Sequence, residues 1–153
     1  MQIYKKILLG LLIVFIAIQF IQPAKNKSGE LLATDITKTY HIPDSVQAIL
    51  KNKCYDCHSN TNYPWYMHIQ PLGWLMARHV RDGKKDLNFS EFGSYSSRKQ
   101  INKLRGIESS IKDGTMPLSS YTIMHPDAKL TSNDTATINY WVRKTKDSLT
   151  IKN

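Results

Sequence analysis

The chain has 153 residues, with 21 basic and 12 acidic side chains and a formal net charge of +9. This length suits one compact domain with a short appendage, and the sequence shows no internal repeat and no low-complexity tract. A basic chain could bind nucleic acid, anionic lipid or an acidic protein. Because the basic residues are spread out and accompany no nucleic-acid motif, we expect no nucleic-acid partner.

The N-terminal segment is the most apolar part of the chain. Residues 7–21 read ILLGLLIVFIAIQFI, are interrupted only by Gln19 and follow two lysines. A helix counted from Ile3 reaches about 28 Å, against about 30 Å of hydrocarbon in a bilayer, and the lysines favour a cytoplasmic start. Residues 1–23 are therefore predicted to be a single-pass anchor in a bacterial inner membrane, with the remaining chain in the periplasm. A cleaved signal peptide is the alternative.

Beyond the apolar segment, residues 24–40 are polar and are predicted to form a tether, followed by a folded domain over residues 41–153. Apolar residues in that domain recur at helical spacing, whereas no strand pattern of any length occurs. The sequence therefore predicts an all-α domain with long functional loops.

The spacing predicts four helices in this domain. The first is capped by Asp44 or Ser45 and runs to the cysteines, with Val46, Ile49 and Leu50 on one face. The second covers residues 72–80 and stops near Gly83. The third ends at Gly114, with Ile101, Leu104, Ile107 and Ile111 on one face. The fourth follows Leu130, is capped by Thr131 or Ser132, and buries Ile138, Trp141 and Val142.

The two cysteines of the chain lie in the sequence KCYDCHS, as Cys54 and Cys57, and His58 follows directly. A disulfide across so short a loop adds little stability and leaves the histidine unexplained. A thioredoxin-like pair needs a βαβ setting, and a zinc site needs four ligands. Cys-x-x-Cys-His is the signature of c-type haem attachment, in which two thiols bind the haem and the histidine binds iron. The motif predicts one covalently attached haem c, with His58 as its proximal ligand.

A six-coordinate haem iron needs a second ligand on its other side. Met116 is favoured by its context, because it precedes Pro117 in an irregular loop before the last helix. His79, Met124 and His125 are the alternatives. A thioether ligand raises the reduction potential relative to a second histidine, and a missing ligand leaves iron open to gas or peroxide.

Other groups are expected around the haem. The Nδ1–H of the proximal histidine should donate to a backbone carbonyl, which fixes its tautomer. Pro71 is predicted to supply that carbonyl, and Trp65 and Trp74 are predicted to wall the pocket.

Several blocks of sequence occur together in one order: CYDCHS, YPWY, IQP, GW, GKKDLNFSEF, MPLSSYTIMHPDAKL and a helix with YW. Over residues 40–142 this order resembles the small haem-binding domain family of Bacteroidetes-type bacteria, which is similar to monohaem class I cytochromes c. The resemblance implies a cytochrome c-like helical domain wrapped around one haem, bound through Cys54 and Cys57, with His58 and Met116 as iron ligands. It also implies that the first and last helices pack together, with Val46 and Leu50 against Trp141.

These observations predict a membrane-anchored periplasmic cytochrome that carries electrons and has no catalytic residues of its own. Its redox partner proteins are expected to carry an acidic docking face, which binds the basic surface of this domain. The alternative function is a haem-based sensor or a peroxidase-associated haem domain, in which the distal ligand is absent or displaceable.

Overall fold

The computed structural model describes residues 2–24, 26, 31–60 and 64–151. These residues form eight α-helices: α1 (Gln2–Ile18), α2 (Ile36–Thr39), α3 (Asp44–Lys53), α4 (Tyr55–His58), α5 (Leu72–Asp86), α6 (Ser97–Lys112), α7 (Ser119–Met124) and α8 (Ser132–Ile151). Three 3₁₀ helices lie between them, at Trp65–His68, Phe89–Ser94 and Pro126–Ala128. No strand occurs within these described ranges, so the all-α prediction is confirmed.

The main hydrophobic core lies between α3, α6 and α8. Its buried side chains include Val46 and Leu50 of α3, Leu104 of α6, and Ile138 and Trp141 of α8. The predicted apolar faces of α3 and α8 are therefore the faces that pack, and the first and last helices of the domain meet as the family resemblance implies.

Local capping explains where α6 and α8 begin and end. The Ser96 hydroxyl accepts a hydrogen bond from the Lys99 backbone N–H at the start of α6, and Gly114 follows its end with φ of +65°, a conformation that glycine adopts without strain. At the start of α8, the Thr131 hydroxyl accepts from the Asp134 N–H and the Asp134 carboxylate accepts from the Thr131 N–H. This reciprocal pair is a capping box.

A second hydrophobic cluster lies on the other side of α4. It joins Met76 and Val80 of α5, Tyr121 of α7, and Tyr66 and Met67 of the 3₁₀ helix Trp65–His68. Cys54 packs against the main core and Cys57 packs against this second cluster. The short helix α4 therefore sits at the seam between the two.

The packed structure extends N-terminally of the predicted domain boundary at residue 41. Asp35 is buried and caps α2, because its carboxylate accepts a hydrogen bond from the Thr37 N–H. Ile36 is fully buried in the main core, and the Thr34 carbonyl accepts from the Gly93 N–H. Part of the segment predicted as a tether is thus packed against the domain, whereas residues 25 and 27–30 lie outside the described residues.

The N-terminal helix α1 buries none of its side chains. Among the residues that the structure describes, no helix is long and apolar enough to cross a membrane. The transmembrane helix predicted within residues 1–23 is therefore not supported, because the 17 residues of α1 span about 25 Å, short of about 30 Å of hydrocarbon.

Candidate functional site

The two cysteines lie one turn apart because the chain changes direction at Cys54. Helix α3 ends there, and Cys54 has φ of −128°, which breaks the helical path. Helix α4 then starts at once: the Cys54 carbonyl accepts hydrogen bonds from the N–H groups of Cys57, at 3.2 Å, and His58, at 2.9 Å. The short turn therefore brings both thiols and the imidazole to one place.

Both thiols are free and partly buried. Burial raises the pKa of Cys54 to about 12, and the neighbouring Cys57 adds to the shift while Lys53 opposes it. Burial, followed by the charge of Asp56, raises the pKa of Cys57 to about 12. At neutral pH both side chains are thiols, in a setting that suppresses thiolate reactions such as disulfide exchange.

The imidazole of His58 is oriented by a backbone carbonyl. Its Nδ1 lies 3.0 Å from the carbonyl oxygen of Leu87, and because a carbonyl only accepts, Nδ1 must carry the proton. The other nitrogen, Nε2, is thereby left as the acceptor that can bind iron. Pro71 was predicted to supply the accepting carbonyl, but the acceptor is Leu87. Pro71 precedes the first residue of α5, whereas Leu87 follows the last.

A network of buried polar groups holds the segment around Leu87. The Asn88 side chain donates to the Asn60 side-chain oxygen at 3.2 Å and accepts from the Ser90 N–H. The Asn60 N–H in turn donates to the Ser90 hydroxyl. Since Asn60 lies two residues after His58, this network ties the end of α4 to the segment that carries the Leu87 carbonyl.

Helix α5 approaches α4 closely at Gly83. A Cβ at this position would lie 2.8 Å from the Cys57 carbonyl oxygen, so only glycine fits without a backbone shift. Helix α5 was expected to stop near this glycine, but it continues to Asp86. The glycine serves a close helix contact here and does not end the helix.

The motif opens onto a cleft with two adjoining lobes, of about 220 and 280 Å³. A molecule of cofactor size needs a site of roughly 300–1,000 Å³, so it would have to occupy both lobes. Cys54, His58 and Met116 border both lobes, whereas Cys57 borders the second. The two thiols, the imidazole and the favoured thioether therefore share one cleft.

Apolar side chains and a glycine form part of the wall of the first lobe, which also includes charged and polar residues such as Lys53 and Asp86. Phe89 is fully buried, and its ring meets the His58 ring edge to face at 6.3 Å between centroids. Ile107 and Ile111 of α6 border the same lobe. Gly106 also borders it, and a Cβ there would meet nothing within 4 Å, so the glycine keeps space open in the cleft.

The other predicted iron ligands lie in different places. His79 borders the second lobe, on α5. Met124 and His125 border a separate small cavity, in which His125 stacks on Tyr121 at 4.2 Å between ring centroids. The described geometry thus brings Met116 and His79 to the cleft and leaves Met124 and His125 outside it.

The two predicted pocket tryptophans are not among the residues that border the cleft. Trp65 is 76% exposed, and the Trp74 indole N–H donates to the Ile21 carbonyl just beyond α1. The sequence could not show that these tryptophans lie outside the cleft, because a surface tryptophan and a pocket tryptophan look the same in a sequence.

Lys53 borders both lobes of the cleft and was missed from the sequence, whereas Tyr121, an aromatic residue that the sequence had offered as a pocket wall, borders the second lobe. The Lys53 ammonium donates to the carbonyls of Asp127 and Lys129, which fixes the segment before α8. The Tyr121 hydroxyl donates to the Asp56 carboxylate at 2.7 Å. The position of Lys53, next to Cys54, was the only signal that could have drawn attention to it.

A wider cavity of about 730 Å³ lies between the start of α3 and the middle of α8. It is bordered by Tyr40, His41 and Tyr140, among others, and by neither cysteine. Because neither thiol of the motif borders this cavity, it is not the candidate cofactor site despite its size.

Together, the fold and the site define an all-helical domain in which two thiols, an imidazole and a thioether border one cleft, a donor set that suits haem. The chain belongs to the haem-binding domain family, whose model matches residues 13–144. Neither a curated protein nor a solved structure matches the chain. The family assignment confirms the resemblance inferred from the sequence blocks and makes this a haem-binding domain.

Proposed function

We propose that the protein is a monohaem c-type cytochrome that carries electrons. The observation that carries the proposal is the shared cleft. It is bordered by both thiols of the Cys-x-x-Cys-His motif, by the His58 imidazole held through Nδ1, and by the Met116 thioether. A disulfide, a thioredoxin-like pair or a zinc site would each leave His58 without a role, whereas haem attachment uses all three residues of the motif.

Attachment requires no oxidant. Each thiol would hold the haem through a carbon–sulfur bond to one vinyl group, and the thiol hydrogen would go to the other vinyl carbon. Cys54 and Cys57 supply the two sulfur atoms. When bound, the haem supplies the one-electron chemistry of its iron.

The iron ligands in this proposal are Nε2 of His58 and the sulfur of Met116. The Leu87 carbonyl holds the imidazole ring in place, and the phenyl ring of Phe89 packs beside it. A thioether as second ligand raises the reduction potential, as in other electron-carrying cytochromes.

We also propose that the domain is exported and attached to a membrane through α1. The large apolar side chains of this helix are exposed along its whole length, which supports burial in lipid. The net charge of +9 supports redox partners with an acidic docking face, and association with them should slow as the ionic strength rises.

Covalent attachment is tested by expressing the chain with a c-type haem maturation system. The purified protein is run on a denaturing gel and stained for haem. We expect stain at the mass of the chain, and its loss in the double variant Cys54→Ala and Cys57→Ala. If the wild-type band loses its haem under denaturing conditions, covalent attachment is wrong, although haem binding still stands.

The second iron ligand is tested by Met116→Ala. We expect the ferric spectrum to change from low spin to high spin and the sulfur-to-iron charge-transfer band to disappear. Met124→Ala is the matched control, because it removes a half-exposed methionine outside the cleft and should leave the spectrum unchanged. An unchanged spectrum in Met116→Ala would instead favour His79, which borders the second lobe.

A haem-based sensor or peroxidase-associated domain is the second candidate function. It is favoured by the exposure of Met116, which is 37% exposed in the irregular segment between α6 and α7. A ligand in such a segment can be displaced at low cost. A high-spin ferric protein that binds cyanide rapidly would support this function, whereas a low-spin protein that resists cyanide would support electron transfer.

A further inference from the structure

One end of the domain exposes a group of large apolar side chains, which we call the apolar end. Ile123 is 79% exposed and Leu75 is 51% exposed. The full set consists of Trp65, Ile69, Leu72, Leu75, Ile123 and Met124. Isolated exposed apolar residues are ordinary, but a group of them marks an interaction site.

Four members of the apolar end are neighbours in the fold, and Ile69 and Ile123 lie close to them in the sequence. Leu72, Leu75 and Met124 border one small cavity together with Tyr66. The Trp65 ring meets the Tyr66 ring edge to face at 6.1 Å between centroids. The start of α5, the end of α7 and the 3₁₀ helix Trp65–His68 therefore contribute to one apolar surface.

The end of α1 is hydrogen-bonded to this same part of the domain. The Gln19 amide donates to the Gln70 carbonyl at 3.2 Å and accepts from the Gln70 N–H at 2.9 Å. The Gln22 amide donates to the His68 carbonyl at 3.2 Å. These bonds, which we call the glutamine clasp, lie on both sides of Ile69 in the sequence.

The clasp places the end of α1 next to the apolar end. Phe20 and Ile21, between the two clasp glutamines, are 85% and 62% exposed. The Trp74 indole donates to the Ile21 carbonyl and adds a further link. Exposed apolar side chains therefore lie on both sides of the clasp, in α1 and at the apolar end.

We propose that the apolar end is a second lipid contact, which lies in the interfacial layer of the bilayer to which α1 attaches. Tryptophan is favoured at that depth, because its ring is apolar and its N–H can meet water or headgroups. The proposal rests on the proposed attachment of α1. We further propose that the clasp fixes the orientation of the domain relative to the membrane, so that the domain does not reorient freely about α1.

The test is site-directed spin labelling of the full-length, haem-loaded chain in vesicles of phosphatidylcholine and phosphatidylglycerol. Ile123→Cys and Leu75→Cys place a nitroxide at the apolar end. Tyr140→Cys, at an exposed position on α8 bordering the wider cavity, is the matched control. Collision rates are measured with oxygen, which concentrates in lipid, and with a water-soluble nickel chelate.

At positions 123 and 75 we expect a higher oxygen rate and a several-fold lower nickel-chelate rate than at position 140. Equal nickel-chelate rates at all three positions in vesicle-bound protein would overturn the proposal. Spin–spin broadening at position 123 with low rates for both reagents would also overturn it, in favour of contact between two copies of the chain.

The outcome for the haem is read separately. The chain without an added cysteine should take up no label, because its two thiols carry haem in the proposed function. Label uptake there would contradict covalent attachment, whereas the lipid contact would still be read from the added positions. Failure of the chain to bind vesicles at all would contradict both the attachment of α1 and the lipid contact.

Discussion

The contact of Gly83 with the Cys57 carbonyl predicts the effect of Gly83→Ala. The new Cβ would lie 2.8 Å from that oxygen, whereas unstrained carbon–oxygen contacts are about 3.3–3.6 Å. Helices α4 and α5 would therefore have to separate by roughly 0.5 Å or more. Because the closest atom belongs to the backbone, rotation of a side chain cannot relieve the clash.

Two opposing terms set the size of the effect. Alanine in a helix interior is more stable than glycine by about 0.8–1.0 kcal/mol, whereas overpacking costs about 1–3 kcal/mol. We expect Gly83→Ala to lower the free energy of unfolding by about 0–2 kcal/mol. Gly106→Ala is the matched control, because it lies inside α6 with nothing within 4 Å of its Cβ, and it should gain about 1 kcal/mol.

The difference between the two variants isolates the helix contact, at about 1–3 kcal/mol. It is measured by unfolding the haem-free chain in urea, followed by far-UV circular dichroism. A second measurement is the yield of covalent haem, which should fall in Gly83→Ala because Cys57 is displaced. If Gly83→Ala gains as much stability as Gly106→Ala, the close approach of α5 does not position the motif and our account of it is refuted.

Substitutions of two other groups, the capping box of α8 and the Phe89 ring beside the cleft, give further tests. Asp134→Ala removes the capping box of α8 and should cost about 1 kcal/mol, whereas Asp147→Ala, at an exposed position of α8, should cost less than about 0.5 kcal/mol. The hydrogen bond from the Thr131 N–H lowers the pKa of Asp134. The stabilisation by the capping box should therefore be complete above about pH 4 and be lost as the pH falls through the lowered pKa. Thermal unfolding measured across this pH range checks this prediction. Phe89→Ala should cost about 3–5 kcal/mol in urea unfolding and Phe89→Leu less; equal costs would contradict tight packing beside His58.

The helices were predictable because their apolar periodicity and their capping act locally. The spacing of Val46, Ile49 and Leu50 fixes one buried face of α3, and Thr131 caps α8 as its position suggested. The short helix α2 was not predictable, because four residues give no periodicity. Its burial depends on contacts with the distant segment around Gly93, which no local pattern encodes.

The candidate site was predictable only where the chemistry belongs to side chains. Thiols, an imidazole and a thioether are distinctive residue types, and the cleft contains Cys54, Cys57, His58 and Met116. The partner of His58 is a backbone carbonyl, a group that every residue carries, so the sequence could not distinguish Leu87 from Pro71. A glycine that ends a helix and a glycine that permits a close helix contact look the same in a sequence. Gly83 is of the second kind, because the absence of a side chain leaves room for the Cys57 carbonyl.

Helix α5 connects the two functional ends of the domain. At its start, the Gln70 side chain accepts from the Trp74 N–H while the Gln70 backbone holds Gln19. At its end, the Leu87 carbonyl orients the proximal imidazole. Its 15 residues span about 22 Å, so the distance between the clasp and the imidazole is set by a helix and not by a flexible loop. If α1 lies in lipid and the domain carries electrons, as proposed, the haem is held at a fixed height above the membrane, and the acidic face proposed for a redox partner would have to reach that height.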